Sequence, residues 1–137
     1  SRILTTLKTT VKRLEEGSAI VIFPEHDAPY NDILNDFQTG FVDVAKLYYK
    51  RTGKVVSFVP MYLAPALKTM YFGEPVSYCP ENPIEEERTR ICGCLMERIT
   101  AMARSLPRHR VVPYKNVPKK DYPYNLPEEK RYETACG

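Results

Sequence analysis

The 137-residue sequence has no tryptophan, only two histidines and only four cysteines. No apolar run approaches the ~18–20 residues that a membrane-spanning helix requires. The first residues lack the charged, apolar and small-residue order of a signal peptide. No Gly-x-Ser-x-Gly motif is present, which argues against a hydrolase built on a serine nucleophile elbow. These absences favour a cytoplasmic chain that is neither secreted nor integral to a membrane.

The scarce cysteines also argue against a metal centre. Cys92 and Cys94 lie two residues apart in a helical pattern, so they point to different faces, and no histidine is near them in sequence. Reduced cytosolic thiols are the better interpretation. We expect no metal and no resident cofactor.

What the chain does contain is an ordinary globular composition, 43% hydrophobic and 27% charged. Its length fits one domain with a real core. The net charge of +3 is too small to indicate a nucleic-acid partner.

The stretch from Ser18 to Glu25 organises the sequence. Ala19 to Phe23 is a continuous apolar run rich in β-branched residues, which predicts a strand over residues 18–23 buried on both faces. Pro24 ends that strand, and Glu25 follows at the rim where α/β sheets place ligands. The alternative, which the pattern alone favours, is a strand that stops at a turn followed by a solvated acid.

Further along, β-rich runs alternate with helical stripes, which predicts an α/β fold with a small mixed sheet flanked by helices. The predicted strands are 18–23, 54–62 and 68–73, with an edge strand near 76–78, and the predicted helices are 3–16, 37–51 and 83–106. Asn82 is the expected N-cap of the last helix, with Pro83 at its first position. That helix should end before Pro107.

A polar loop, residues 24–36, precedes the 37–51 helix and contains four acidic residues. Asn35 or Asp36 is a candidate cap for that helix. Gly40 is costly inside its first turns, which suggests that something approaches the backbone there.

After residue 106 the sequence changes character, which predicts a 1–106 domain followed by a 107–137 tail. Five prolines and four tyrosines interrupt any periodicity, and basic residues dominate up to Lys120. The tail either packs its tyrosines on the domain or offers a basic surface to phospholipid head groups or to the phosphates of an acyl carrier.

Four short motifs occur in a suggestive order. Phe23-Pro24-Glu25 is followed by Phe37-x-x-Gly40, then by Val59-Pro60, and then by Gly73-Glu74-Pro75-Val76. Over residues 3–105 this order resembles the C-terminal half of the glycerolipid acyltransferase domain, the lysophosphatidate (1-acylglycerol-3-phosphate) acyltransferase superfamily.

The resemblance implies transfer of an acyl group from acyl-CoA or acyl carrier protein, as co-substrate, to the hydroxyl of a lysophospholipid. It implies that Glu25 helps form the acceptor site, and that the phosphate end of the acceptor lies near the start of the 37–51 helix. The implied substrate-binding residues are Phe23, Pro24, Glu25, His26, Phe37 and Gly40.

The family's His-x-x-x-x-Asp block, in which the histidine is the general base, is not in this sequence. Asn31 stands five places after His26, and Tyr114 stands five places after His109. No catalytic residue is therefore assigned, and the block is expected upstream of the Phe-Pro-Glu motif. His26 itself replaces the glycine that usually follows this motif, and a solvated histidine is the favoured interpretation.

A second class of function stays open, a non-catalytic lipid-binding or interaction module derived from the same fold. The partners expected under either interpretation are a lysophospholipid and an acyl thioester, with peripheral contact to an anionic membrane surface. Because the upstream half should cover the 18–23 strand, the chain alone is expected to expose apolar surface, and a homodimer is one outcome.

Overall fold

A computed structural model describes residues 2–26, 33–113 and 116–127, with side chains in the first helix described from Thr5 onward. The three predicted helices are present, as α1 Arg2–Glu15, α2 Asp43–Thr52 and α3 Ile84–Ser105. A 3-10 turn, Thr39–Val42, leads into α2, and two more 3-10 turns occur at Pro65–Leu67 and Lys119–Asp121.

Four short strands form two antiparallel pairs. β1 (Ser57–Phe58) pairs with β4 (Val76–Ser77), and β2 (Met61–Ala64) pairs with β3 (Thr69–Phe72). The protein is therefore a small mixed α/β protein with two small sheets, and the prediction of one sheet is wrong. Pro60 divides the predicted 54–62 strand because it has no N–H to donate, although its carbonyl accepts from the Gly73 N–H at 2.9 Å.

The predicted buried strand at residues 18–23 is also wrong. These residues adopt no regular secondary structure, and Val21 and Phe23 are 63% and 65% exposed. The apolar composition gives the run its β propensity, but a strand also needs a neighbour to share its hydrogen bonds. No strand in the described ranges pairs with this segment.

The core lies between α3, α2 and the strands. Ile91, Leu95 and Ile99 on α3 are buried against Ala45 of α2 and Tyr62 of β2. Helix α1 packs on α2, and a 2.9 Å ion pair joins Arg51 to Glu15 across their ends. These contacts confirm the apolar stripes read from the sequence for α2 and α3.

A buried carboxylate fixes the start of α3. Glu87 is fully buried and accepts hydrogen bonds from both the Nε and an Nη of Arg90, at 2.6 and 2.7 Å. The Cys79 N–H donates to the same carboxylate at 2.6 Å, and the Asn82 side chain donates at 3.2 Å. The N-cap residue is Pro83 rather than the predicted Asn82, whose side-chain amide donates to Glu87.

The described part of the 107–137 segment folds back onto the domain. His109 is buried, and its Nδ1–H donates to the Pro107 carbonyl at 2.7 Å, since a carbonyl can only accept. On the other side of the ring, Nε2 forms a 2.6 Å hydrogen bond with the Tyr62 hydroxyl.

Asn125 completes this attachment by capping the end of α3. Its Nδ2 donates to the carbonyls of Ala103 at 2.6 Å and Leu106 at 3.2 Å, and its Oδ1 accepts from the His109 N–H at 2.7 Å. His109 and Asn125 thus make buried polar contacts in the described part of this segment. Of the tyrosines expected to pack on the domain, Tyr122 is partly buried, Tyr124 is 37% exposed, and Tyr114 and Tyr132 lie outside the described residues.

The Glu87 site predicts a pH-dependent loss of stability. Its hydrogen bonds with Arg90 lower the pKa of Glu87 from 4.5 to about 2. The ionised carboxylate therefore stabilises the fold above about pH 4.5, and this contribution is lost as the pH falls toward 2. We expect Glu87→Gln to lower the free energy of unfolding at pH 7 by about 3 kcal/mol, measured by urea denaturation.

The matched control is Glu97→Gln, which removes an exposed carboxylate from the same helix and should change stability by less than about 0.5 kcal/mol. The difference between wild type and Glu87→Gln should shrink between pH 4.5 and pH 2.5. A difference that stays constant with pH would show that ionisation of Glu87 does not stabilise the fold.

Candidate functional site

Four of the six predicted acceptor residues border a large apolar cavity. The cavity has a volume of about 680 Å³ and is lined along one side by residues 19–25 and along another by residues 56–63. Phe37 and Phe41 close it toward α2, and Leu95 and Ile99 close it toward α3. Its volume lies in the range of about 300–1,000 Å³ that is typical of small-molecule sites.

Backbone pairing places Glu25 at the rim of this cavity. Glu25 forms an isolated antiparallel bridge with Phe37, flanked by hydrogen bonds from Gln38 N–H to the Pro24 carbonyl at 2.7 Å and from His26 N–H to the Asp36 carbonyl at 2.8 Å. The segment after the apolar run is thereby fastened to the segment before α2. Glu25 therefore lies beside Phe37, the first residue of the predicted 37–51 helix, although the α-helix itself begins only at Asp43.

The Glu25 carboxylate is half buried rather than fully solvated. Desolvation raises its pKa above 4.5, and a hydrogen bond from the Asn35 N–H to Oε2 at 3.0 Å partly offsets that effect. No ion pair between described residues involves Glu25. The group can therefore accept a hydrogen bond from a ligand hydroxyl when it is ionised.

Asn35 has a role that the sequence did not indicate. It was a candidate helix cap, but the residue that precedes the 3-10 turn is Gln38, which makes no side-chain capping bond. The Asn35 backbone binds Glu25 instead, and its side-chain Nδ2 is buried without a hydrogen-bond partner in the structure as described. A buried donor without a partner is costly in a folded protein, so this amide is a candidate ligand contact.

The six predicted binding residues do not all converge. Phe23, Pro24, Glu25 and Phe37 line the cavity together. His26 is exposed and does not line it, as expected of a solvated histidine. The acidic residues Asp27 and Asp32 lie outside the described residues.

Gly40 also lies apart from the cavity wall. A Cβ placed there would meet no protein atom within 4 Å, so internal packing does not require glycine at this position. The close approach predicted at Gly40 therefore has no counterpart within the described protein.

The start of α2 carries its own charge pair. Asp43, the first residue of α2, binds Arg88 through two hydrogen bonds of 2.7 and 2.8 Å. The guanidinium compensates this carboxylate, which otherwise would repel an anion from the helix start. Upstream of it, the 3-10 turn Thr39–Val42 begins with no side-chain cap.

No protein-family model, curated protein or solved structure matches this chain. Within the described ranges, His, Cys, Asp and Glu side chains form no group of three or more suited to a metal ion. Cys79, Cys92 and Cys94 are free thiols. None of the described helices is long and apolar enough to cross a bilayer.

The partial burial of Glu25 predicts that its ionised carboxylate does not stabilise the folded state. Because the pKa of Glu25 is raised above 4.5 in the folded state, the folded protein holds this proton more tightly than the unfolded chain does. The contribution of Glu25 to stability therefore falls as the pH rises from about 4.5 through the folded pKa. Glu25→Gln keeps an acceptor for the Asn35 N–H and removes the charge. We expect its stability at pH 7 to stay within about 1 kcal/mol of wild type or to exceed it.

Thermal unfolding of Glu25→Gln, wild type and the Glu97→Gln control at pH 4 and pH 7 checks this expectation. Relative to Glu25→Gln, the wild type should be less stable at pH 7 than at pH 4. A loss of more than about 2 kcal/mol in Glu25→Gln at pH 7 would instead make Glu25 a structural residue.

Proposed function

We propose that this chain supplies the acceptor-binding half of a glycerolipid acyltransferase, which moves an acyl group from an acyl thioester to a lysophosphatidate-like hydroxyl. The observation that carries the proposal is the position of Glu25, an ion-pair-free carboxylate in the described structure, at the rim of a 680 Å³ apolar cavity. The order of the four sequence motifs, which resembles that of the glycerolipid acyltransferases, supports acyl transfer as the reaction.

The cavity supports an amphiphilic substrate. Ile20, Val21, Ile22 and Phe23 line it while remaining partly exposed, so an acyl chain that entered would remove their apolar surface from water. Each buried methylene is worth about 0.8 kcal/mol, so the hydrocarbon would supply most of the affinity. The polar groups at the rim, Glu25 and the Asn35 amide, would then orient the glycerol end.

The general base must come from outside this chain in the proposed reaction. His26 is exposed and does not line the cavity. The ring nitrogens of His109 are both engaged, one by the Pro107 carbonyl and one by the Tyr62 hydroxyl. Glu25 accordingly positions the acceptor and does not remove its proton.

Binding of lysophosphatidate to the 137-residue chain tests the acceptor site. We expect Glu25→Gln to weaken binding by about tenfold or more, because one hydrogen bond from the acceptor hydroxyl to a charged group is worth about 1.5 kcal/mol or more. Isothermal titration calorimetry below the critical micelle concentration, with Glu97→Gln as the control, measures the effect. Equal affinities for the two variants would place the acceptor elsewhere.

An acyl-transfer assay separates the two classes of function. The chain mixed with acyl-CoA and lysophosphatidate should react at close to the background rate, because loss of a general base typically costs ~10²–10⁴-fold. Rapid transfer by the chain alone would make His26 the candidate base. If the chain binds lysophosphatidate yet stays inactive when an upstream His-x-x-x-x-Asp half is supplied, the non-catalytic lipid-binding module is the better interpretation.

A further inference from the structure

A second, chemically different pocket lies in the C-terminal segment. Residues 109–111 and 123–125 run antiparallel, joined by the Arg110–Tyr124 bridge and by hydrogen bonds from Val111 N–H to the Pro123 carbonyl at 2.8 Å and from Asn125 N–H to the His109 carbonyl at 3.1 Å. His109 and Asn125 are buried against the domain. They therefore anchor both paired segments, and with them the basic side chain of Arg110.

Two arginines are held around one aromatic ring. The Cζ of Arg108 lies 3.6 Å from the centroid of Tyr124, and the Cζ of Arg110 lies 5.1 Å from it. Arg110 also donates from Nε to the Tyr124 hydroxyl at 3.1 Å and from Nη1 to the Lys119 carbonyl. These contacts hold the guanidinium in place and leave Nη2 without a hydrogen bond to a described residue.

Near this ring the chain forms a pocket of about 390 Å³ whose lining includes three basic residues. Arg110, Lys119 and Lys120 supply three cations, and Ala66, Val112 and Tyr122 supply the apolar part of the wall. None of the ion pairs between described residues involves any of these three cations or Arg108. Asp121 stands next to Lys120 in sequence, but it does not line the pocket.

We propose that this pocket binds a phosphate monoester. The Nη2 of Arg110, which has no hydrogen bond to a described residue, can donate to a phosphate oxygen, and lysine ammonium groups can donate to the other oxygens of the same dianion. The three cations lack carboxylate partners in the described structure. A doubly charged phosphate would therefore compensate their charge better than a ligand with a single carboxylate. The site uses residues remote in sequence from Glu25 and does not rest on the acyltransferase proposal.

The phosphate can belong to a lipid or to a soluble compound. Val112 lines both this pocket and the large apolar cavity, so the two spaces share a wall. A lipid with a phosphate monoester head group would have apolar surface available next to the cations. Glycerol 3-phosphate presents the same head group without the chains.

The test uses both sources as probes. Vesicles of phosphatidylcholine containing phosphatidate report the lipid source, and glycerol 3-phosphate reports the soluble one. Vesicles containing phosphatidylglycerol at the same surface charge density report attraction to charge alone. Co-sedimentation measures vesicle binding, and calorimetry measures glycerol 3-phosphate binding, both in 0.1 M salt.

The decisive variant is Lys119→Gln with Lys120→Gln, and its matched control is Lys8→Gln with Lys12→Gln, which removes two exposed cations from α1. Each cation near an anionic surface contributes about fivefold in affinity, so the first pair should weaken phosphate binding by about twenty-five-fold. The control pair should leave it within about twofold. Circular dichroism and thermal unfolding confirm that both double variants remain folded.

Binding of both probes that depends on Lys119 and Lys120 supports the proposal and shows that the phosphate group is sufficient. Such binding of only one probe supports it and assigns the source. The proposal is overturned if neither probe binds, if phosphatidylglycerol vesicles bind as tightly as phosphatidate vesicles, or if the two double variants lose affinity equally.

Discussion

The burial of the Glu87 carboxylate at the start of α3 is the interaction on which the rest of the fold depends. Arg90 compensates its charge from within the helix, while the Cys79 N–H and the Asn82 side chain bring the turn after β4 onto the same group. Helix α3 then forms one wall of the core for α2 and β2, and its far end receives the cap from Asn125. Both candidate pockets are positioned by elements attached to this helix.

Sequence periodicity correctly predicted the helices, which depend on residues close together along the chain. The helices follow from apolar stripes and from Pro107, which prevents continuation of α3. Glu25 was expected at the rim of a sheet, but no strand precedes it in the described structure, and its bridge with Phe37 positions it instead. The 18–23 strand failed because β pairing requires a second segment, and composition cannot report whether that segment is present. Pro60 divided the next strand for a different reason, the loss of a ladder donor.

The remaining site features depend on contacts that no pattern encodes. Tyr62 and His109 are 47 residues apart, and neither carries a motif that predicts their hydrogen bond. Asn35 reads as a cap because asparagine usually caps, yet the pairing across the loop directs its backbone to Glu25. The basic composition of the C-terminal segment was visible, but its arrangement around Tyr124 required the pairing of residues 109–111 with residues 123–125.

The two pockets differ in charge, and this difference bears on where a phosphate belongs. Near the start of α2, Glu25 and Asp43 are both carboxylates, and only Asp43 has a cationic partner among the described residues. A phosphate placed there would meet the uncompensated charge of Glu25, whereas three cations without such partners surround the second pocket. The charges of the described residues therefore favour an uncharged hydroxyl beside Glu25 and a phosphate beside Lys119 and Lys120. Val112 lines both pockets, so the two differently charged sites are in contact through an apolar side chain.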